Sequence, residues 1–169
     1  LDNALGSVVC KVGSWENGKP VMLLDAHIDE IGMIVTYITE DGFLKISGCG
    51  GLDTRLLLAQ QVTVYGREKL TGVVTSTPPH LEKDSSDAPD LDSVFIDIGF
   101  TSRESAAKYV SLGDRVLIEN KAEKLAGSRV TSKAIDDRAG CAVLVETLRR
   151  LKDVELDYTV VMVGSTQEE

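Results

Sequence analysis

Three stretches of this chain end in side chains that commonly bind divalent metal ions. These side chains are one histidine and five carboxylates: His27, Asp29, Asp136, Asp137, Glu168 and Glu169. Imidazole nitrogens and carboxylate oxygens are ordinary ligands of such ions, and a carboxylate outside the coordination sphere can act as a general base. The sequence therefore predicts that the three stretches meet in one shared metal site.

Each stretch also has an ordinary structural explanation when it is considered alone. Two acids at the start of a helix, such as Asp136 and Asp137, stabilise the positive end of the helix dipole. A single histidine in a loop, such as His27, and a polar strand end, such as Glu168 and Glu169, are common without a functional role. The occurrence of all three stretches in one chain favours the metal site.

The spacing of these residues indicates how they could divide the chemistry. In the His-x-Asp pattern, the imidazole of His27 can bind a metal while the carboxylate of Asp29 orients the ring and raises its basicity. Successive side chains of a strand point in opposite directions, so Glu168 and Glu169 can serve different roles. One glutamate can reach the metal while the other reaches a water molecule.

The surrounding sequence predicts the α/β elements that must position these side chains. From Asp137 to Lys152, apolar residues recur every three or four positions, which predicts an amphipathic helix packed on a core. The apolar runs 21–24 and 156–164 have the length of strands, and the first is predicted to be covered on both faces. Ligands at the end of such a strand lie where open α/β sheets bind their substrates.

Two connections complete the predicted sheet. A strand at 7–12, a polar turn and the strand at 21–24 predict a hairpin. A strand at 128–133, the helix and the strand at 156–164 predict a βαβ crossover. The sheet is therefore predicted to be mostly parallel.

The middle of the chain changes to short alternating segments separated by turn residues. Six segments are predicted strands: 33–38, 43–46, 61–65, 71–75, 94–98 and 115–119. Short strands at this spacing predict a small barrel or sandwich. A short helix is predicted over 101–110, with Thr101 or Ser102 as its N-cap, and the acidic segment 81–92 is predicted to be a solvated loop.

Composition limits the partners of the protein. With 18 basic and 27 acidic residues, the formal net charge is -9, which argues against nucleic acid or an anionic membrane as a partner. No apolar run approaches the roughly 20 residues of a membrane span, and no signal peptide opens the sequence.

Cys10, Cys49 and Cys141 lack metal-type spacing. We therefore expect reduced thiols and a cytoplasmic location.

Six motifs occur in an order that resembles one family of enzymes. They are Asp-Ala-His-Ile-Asp-Glu-Ile-Gly at 25–32, Gly-Gly at 50–51, Pro-Pro-His at 78–80, Ile-Asp-Ile-Gly at 96–99, Lys-Ala-Ile-Asp-Asp-Arg-Ala-Gly-Cys at 133–141 and Thr-Gln-Glu-Glu at 166–169. Together they resemble the cytosolic dinuclear metallo-aminopeptidases of the TET type, which include glutamyl and deblocking aminopeptidases and members named cellulase M. The resemblance covers essentially the whole chain.

This resemblance implies a fold and an assembly. The fold is a zinc-exopeptidase-like α/β domain, residues 1–30 and 120–169, interrupted by an all-β, barrel-like dimerisation domain of residues 31–119. The implied assembly is a homo-oligomer in which dimers build a dodecamer. The implied activity is hydrolysis of N-terminal residues from peptides by a water molecule that two divalent metal ions, zinc or cobalt, activate.

The resemblance also implies a role for each site residue. His27 and Glu169 would bind one metal, and Asp136 would bridge both metals. Asp29 would orient His27, and Glu168 would be the general base. The peptide bond after Asp136 is typically cis in this family.

The chain departs from the family pattern in two respects, of which the first is that the N-terminal helix of the family is absent. The second metal of the family also requires an aspartate on the next strand and a late histidine, and neither follows within this sequence. We therefore expect a fragment that lacks N- and C-terminal parts, with one complete metal site and little or no peptidase activity by itself. The preferred N-terminal residue and the choice between zinc and cobalt stay open.

Two other functions stay open at this point. A polysaccharide hydrolase of the cellulase M type would use two carboxylates and no metal, so inhibition by a chelator would exclude it. A truncated, non-catalytic assembly subunit would use the inserted barrel as an interface. The second histidine, His80, follows two prolines and is predicted to be exposed or to face a partner subunit.

Overall fold

The computed structural model describes residues 4–13, 18–76 and 89–169. Its strands are β1 (Val8–Val12), β2 (Val21–His27), β3 (Gly32–Ile38), β4 (Leu44–Cys49), β5 (Gln61–Tyr65), β6 (Lys69–Ser76), β7 (Val94–Asp97), β8 (Arg115–Ile118), β9 (Glu123–Lys124), β10 (Val130–Thr131) and β11 (Thr159–Ser165). The α-helices in these residues are α1 (Arg103–Ala106) and α2 (Ile135–Leu151). His80 and most of the predicted loop 81–92 lie outside the described residues.

The chain divides into two compact units, an α/β unit of residues 1–30 and 134–169 and a barrel unit of residues 31–133. The barrel unit is inserted between β2 and α2, so the fold class is the predicted α/β domain with an all-β insertion. The second boundary differs from the expected one, because residues 120–133 group with the barrel unit. Within them β9 and β10 pair with each other instead of joining the sheet of the α/β unit.

The α/β unit is built on a three-stranded sheet in the order β1, β11, β2. The central strand β11 runs antiparallel to β1 and parallel to β2. Its residues Val160 and Met162 are almost fully buried, as expected for a strand with a neighbour on each side. The parallel register pairs Thr159 with Val21 and Ser165 with His27, so β11 and β2 end side by side.

Three expectations for this sheet were wrong. β1 and β2 do not form a hairpin, because β11 lies between them. The predicted βαβ crossover is absent, because the strand before α2 is the short β10, which pairs with β9. The apolar run of β2 is not covered on both faces, since Val21, Met22 and Leu23 are each about half exposed. The turn residues between β1 and β2 predicted that these two strands pair. The strands pair instead with β11, an apolar strand that is buried between them.

Helix α2 packs against β2 and confirms the predicted amphipathic helix. The partly buried residues Cys141, Leu144, Leu148 and Leu151 recur at three- and four-residue steps along one face. Val143 is also an apolar residue of this helix but is exposed, because it lies one position off that stripe. The first turn is irregular, since Asp136 and Asp137 have non-helical backbone angles.

The barrel unit is a closed barrel of six strands in the order β3, β4, β7, β6, β5, β8. All six strands were predicted, and their observed bounds differ from the predicted ones by a few residues. Their alternating apolar residues point into one core, whose fully buried members include Leu44, Val64, Ile96 and Val116. Because the barrel is closed, each of its strands pairs with a neighbour on both sides.

The connections of the barrel unit carry the predicted turn chemistry. The predicted helix at 101–110 is the short α1, and Ser102 is its N-cap, with its hydroxyl accepting a hydrogen bond from the Ser105 N–H at 3.2 Å.

The three cysteines, Cys10, Cys49 and Cys141, are free thiols, as expected. Neither helix of the described residues has the length and apolar character that crossing a membrane requires.

Candidate metal centre

The candidate site lies where β2 and β11 of the α/β unit end together. His27 is the last residue of β2 and pairs with Ser165, the last residue of β11. The Ile28 N–H donates to the Ser165 carbonyl at 2.8 Å, which continues the ladder by one bond. Because the two strands are parallel, the residues that follow each of them emerge at the same edge of the sheet.

This edge brings His27 together with both glutamates. One ligand atom from each of His27, Glu168 and Glu169 lies within 4.8 Å of the other two. In the described part of the chain, these are the His, Cys, Asp or Glu residues that meet as a group of three in this way. Glu168 Oε2 lies 3.8 Å from His27 Nε2. The structure therefore brings the stretch of His27 together with the stretch of Glu168 and Glu169.

Asp136 reaches the same histidine from the start of α2. Its Oδ1 lies 3.3 Å from His27 Nε2, although the side chain as a whole is 96% exposed. The peptide bond between Asp136 and Asp137 is cis, as the resemblance implies. Asp136 does not belong to the group of three whose ligand atoms lie within 4.8 Å of one another. The residues predicted to bind one metal were His27, Asp136 and Glu169. In this structure each of the two carboxylates lies near His27.

The adjacent acid, Asp137, has a different position. Its Oδ1 accepts a hydrogen bond from the Gly140 N–H at 3.1 Å, so it caps the first regular turn of α2. A Cβ atom at position 140 would lie 2.3 Å from that carboxylate oxygen, which explains the glycine there. The structural explanation for an acid at a helix N-terminus therefore holds for Asp137, whereas Asp136 faces His27.

Asp29 lies on the opposite side of the His27 ring. Its Oδ1 is 3.6 Å from His27 Nδ1, and both atoms are buried and without a hydrogen bond to any described residue. Its Oδ2 accepts a hydrogen bond from the Glu169 N–H at 3.1 Å. Burial acts to raise the pKa of Asp29, but hydrogen bonds from the backbone N–H groups of Glu169, Asp29 and Glu168 lower the pKa below its ordinary value. Asp29 is therefore ionised at neutral pH.

The electrostatic environment of His27 favours a cation beside Nε2. Burial acts to lower the pKa of His27, but the Asp136 hydrogen bond and the charges of Glu168, Asp29 and Asp136 together raise it above its ordinary value. An imidazole that donates from Nδ1 toward Asp29 directs the lone pair of Nε2 at two carboxylates. Those negative charges repel one another unless a proton or a metal ion lies between them. The residues present therefore fit a divalent metal ion.

Three further contacts, which the sequence did not reveal, lie around the site. The Ser165 hydroxyl donates to Asp25 Oδ1 at 2.7 Å, and Arg138 lies 3.4 Å from Glu30 Oε1. The Cys141 thiol lies 3.2 Å from the His27 carbonyl oxygen, and burial together with the Asp137 charge raises the pKa of that thiol. Asp25 and Glu30 belong to the acid-rich stretch, so their presence was visible but their partners were not.

The sequence matches known aminopeptidases along nearly its whole length. The match to the M42 glutamyl aminopeptidase family covers residues 6–169. The FrvX protein of Escherichia coli is 36% identical over 99% of this chain and 47% of its own length. The glutamyl aminopeptidase of Lactococcus lactis is 31% identical over 100% of this chain and 49% of its own length. The chain spans about half the length of the curated relatives it matches.

Solved structures give the same result for the fold. A TET aminopeptidase from Thaumarchaeota archaeon SCGC AB-539-E09 is 34% identical, with a TM-score of 0.89 over 100% of this chain and 49% of that one. The TET1 peptidase of Pyrococcus horikoshii, which can assemble into a tetrahedron or a large octahedral shell, is 34% identical with a TM-score of 0.84 over 98% and 50%. An endoglucanase from Thermotoga maritima is 34% identical, with a TM-score of 0.77 over 100% and 49%. The order of the motifs, the inserted barrel and the match over residues 6–169 lead to one conclusion: the chain belongs to the M42 glutamyl aminopeptidase family.

Proposed function

We propose that the protein to which this chain belongs is a metal-dependent aminopeptidase that removes N-terminal residues from peptides in the cytoplasm. The observation that carries the proposal is the meeting of His27, Glu168 and Glu169 within 4.8 Å, with Asp136 on the same imidazole. Ligands of this mixed nitrogen and oxygen type suit zinc and cobalt. Because the chain belongs to the M42 glutamyl aminopeptidase family, we assign peptide-bond hydrolysis to this cluster.

The side chains divide into holders of the metal and movers of protons. His27, Asp136 and Glu169 would hold the metal, and Asp136 would be shared with a second ion. Bound divalent ions supply Lewis-acid polarisation of the peptide carbonyl and make hydroxide available near neutral pH. Glu168, whose side chain is 59% exposed, accepts the proton of the attacking water and passes it to the leaving amine.

Asp29 has a supporting role in this proposal. Because its Oδ1 faces His27 Nδ1, it keeps the proton of the imidazole on Nδ1 and leaves Nε2 free for a ligand bond. Its other oxygen holds the Glu169 backbone. One ionised carboxylate thus positions two of the proposed ligands.

Metal binding by this chain tests the centre itself. We expect the chain to bind cobalt and His27→Ala to weaken that binding at least about tenfold, since the variant removes the only nitrogen ligand of the group. Titration with Co²⁺, followed by visible absorbance, measures both affinities. Lys108→Ala, in the barrel unit, is a charge-changing control that should leave the affinity unchanged. Equal affinity in the His27 variant would contradict the proposal.

Hydrolysis by the complete protein tests the reaction class. An aminopeptidase releases the arylamine from amino-acid anilides, loses activity with a chelator and regains it with cobalt or zinc. The alternative, an endoglucanase like the Thermotoga maritima relative, would degrade a soluble cellulose and be insensitive to the chelator, because glycoside hydrolysis uses two carboxylates. Chelator-resistant cleavage of cellulose without anilide hydrolysis would overturn the peptidase proposal.

We also propose that the protein is a homo-oligomer, with dimers that assemble into a dodecamer. Support comes from the TET1 relative, which can assemble into a tetrahedron or a large octahedral shell. In the barrel unit, large apolar side chains such as Leu56, Leu112 and Tyr37 remain exposed and could be covered by a second copy. A truncated assembly subunit without activity would share these surfaces, so light scattering has to be read together with the anilide assay.

A further inference from the structure

A hydroxyl pair joins the start of the α/β unit to the segment that carries the two glutamates. Ser7 directly precedes β1, and Thr166 directly follows β11. Because Val8 pairs with Gly164 in the antiparallel ladder, Ser7 and Thr166 lie beside each other at the edge where the candidate metal centre lies. Ser7 is 8% exposed, which is unusual for a serine outside a strand.

The donor and the acceptor can be assigned in each hydrogen bond of this pair. The Thr166 N–H donates to Ser7 Oγ at 3.2 Å, and the Thr166 hydroxyl donates to the Leu5 carbonyl at 2.9 Å. The two hydroxyl oxygens are 3.1 Å apart. Since the Thr166 proton is used on Leu5, the Ser7 hydroxyl is the donor to Thr166 Oγ1. Among these three contacts, each hydroxyl therefore acts once as donor and once as acceptor.

The segment from Thr166 to Glu169 is anchored at both ends by these contacts. The Ser7 pair holds Thr166, and Asp29 Oδ2 holds the Glu169 N–H at 3.1 Å. Between the anchors, Gln167 has a left-handed backbone with φ of 64°. A chain that is fixed at only one end keeps more conformations, and its two carboxylates would then spend less time near His27.

We propose that Ser7 is a positioning residue for the metal centre: it holds Thr166 so that Glu168 and Glu169 meet His27. This inference rests on the proposed function, because it assumes that His27 and the two glutamates bind metal. Ser7 acts through hydrogen bonds to Thr166 and does not itself touch the metal or the substrate. Partners of metal ligands typically change metal affinity by about 10- to 100-fold when they are removed.

Cobalt titrations of hydroxyl variants test the proposal. Ser7→Ala and Thr166→Val should each bind Co²⁺ about tenfold or more weakly than the unsubstituted chain and show an altered visible spectrum. Thr166→Ser keeps the hydroxyl and should retain both affinity and spectrum. Thr39→Val removes a similar bond in the barrel unit, where Thr39 Oγ1 accepts from the Phe43 N–H, and should leave cobalt binding unchanged. Circular dichroism establishes that each variant is folded.

The outcomes separate this inference from the function on which it rests. If the unsubstituted chain binds no cobalt, the proposed metal centre is wrong and the role of Ser7 falls with it. If that chain binds cobalt and folded Ser7→Ala and Thr166→Val bind it equally well with the same spectrum, only the positioning role is overturned. If one of these variants does not fold, the other, compared with Thr166→Ser, still decides the question.

Discussion

At the scale of the residue, the two nitrogens of His27 have different neighbours. Nδ1 faces the buried Oδ1 of Asp29, while Nε2 faces Asp136 and Glu168. The ring can be a metal ligand through Nε2 only if its proton stays on Nδ1. We therefore expect the tautomer of His27 to depend on Asp29, a carboxylate that is not among the proposed metal ligands.

Asp29→Asn tests this dependence. An asparagine cannot present an acceptor both to His27 Nδ1 and to the Glu169 N–H, because one of its two positions is an NH₂ group. Either the imidazole loses its orientation or the Glu169 backbone loses its hydrogen bond. We expect cobalt affinity to fall by about 10- to 100-fold, measured by titration with visible absorbance.

Asp25→Asn is the matched control for that measurement. Asp25 lies on β2, shortly before Asp29 in the chain, and accepts a hydrogen bond from the Ser165 hydroxyl, which an asparagine oxygen can still accept. The same negative charge is removed, but no contact to His27 changes. If Asp25→Asn weakened cobalt binding as much as Asp29→Asn, the effect would be one of net charge and the orienting role of Asp29 would be wrong.

Residue-scale prediction from the sequence had most to work with where the signal was local. The His-x-Asp spacing alone predicted that Asp29 orients His27, and the structure places Asp29 Oδ1 3.6 Å from Nδ1, while the orienting role itself stays a prediction. Ser7 gave no such signal, because its partner Thr166 is 159 positions away and both are ordinary polar residues. A contact between distant residues is decided by strand pairing, which a motif does not encode.

At the scale of the element, buried and exposed residues alternate along the strands of the barrel unit, so neighbouring residues should differ in their contribution to stability. On β6, Val74 is 1% exposed and points into the barrel core, whereas its neighbour Val73 is 45% exposed. We expect Val74→Ala to lower the free energy of unfolding by about 2 kcal/mol, because it removes buried methyl groups and leaves a cavity. Urea unfolding of the purified chain measures this change.

Val73→Ala provides the comparison on the same strand. Its side chain points out of the barrel, so its removal should change the free energy of unfolding by less than about 0.5 kcal/mol. Both substitutions lower β-propensity alike, and their difference therefore reports burial alone. Equal destabilisation by the two variants would mean that the assignment of the inner and outer faces of β6 is incorrect.

Elements with a strong period were predicted well, and their connections were not. The six barrel strands and α2 follow from alternation and from three- and four-residue steps. The hairpin between β1 and β2 was wrong because β11, from the far end of the chain, pairs with both. Periodicity reports the faces of an element, whereas pairing depends on which strand gains most from a neighbour on each side.

At the scale of the whole molecule, the described residues assemble one metal-binding group within the α/β unit. The family resemblance implies two ions, and of the residues proposed to hold the first ion only Asp136 would also hold the second. We therefore expect one cobalt ion per chain in a titration at micromolar protein. We also expect little or no hydrolysis of amino-acid anilides by residues 1–169 alone, because both ions are needed to hold water and carbonyl oxygen together.

Elemental analysis after gel filtration provides the count, and the anilide assay provides the rate. The complete protein, assayed beside the chain, is the positive control for activity. Two tightly bound ions per chain, or anilide turnover comparable to that of the complete protein, would contradict the expectation. One ion with negligible turnover would agree with a centre that is only partly present in these residues.

The sequence by itself determined the residue types of the site, the existence of the barrel strands and the family to which the motifs point. These are local properties, because ligand chemistry, alternation and helical spacing are all readable within a few residues. The tertiary structure alone decided that β11 lies between β1 and β2, that Asp137 caps α2 while Asp136 faces His27, and that Ser7 holds Thr166. Each of these joins segments that are distant in sequence or equivalent in composition, so only packing could distinguish among the alternatives.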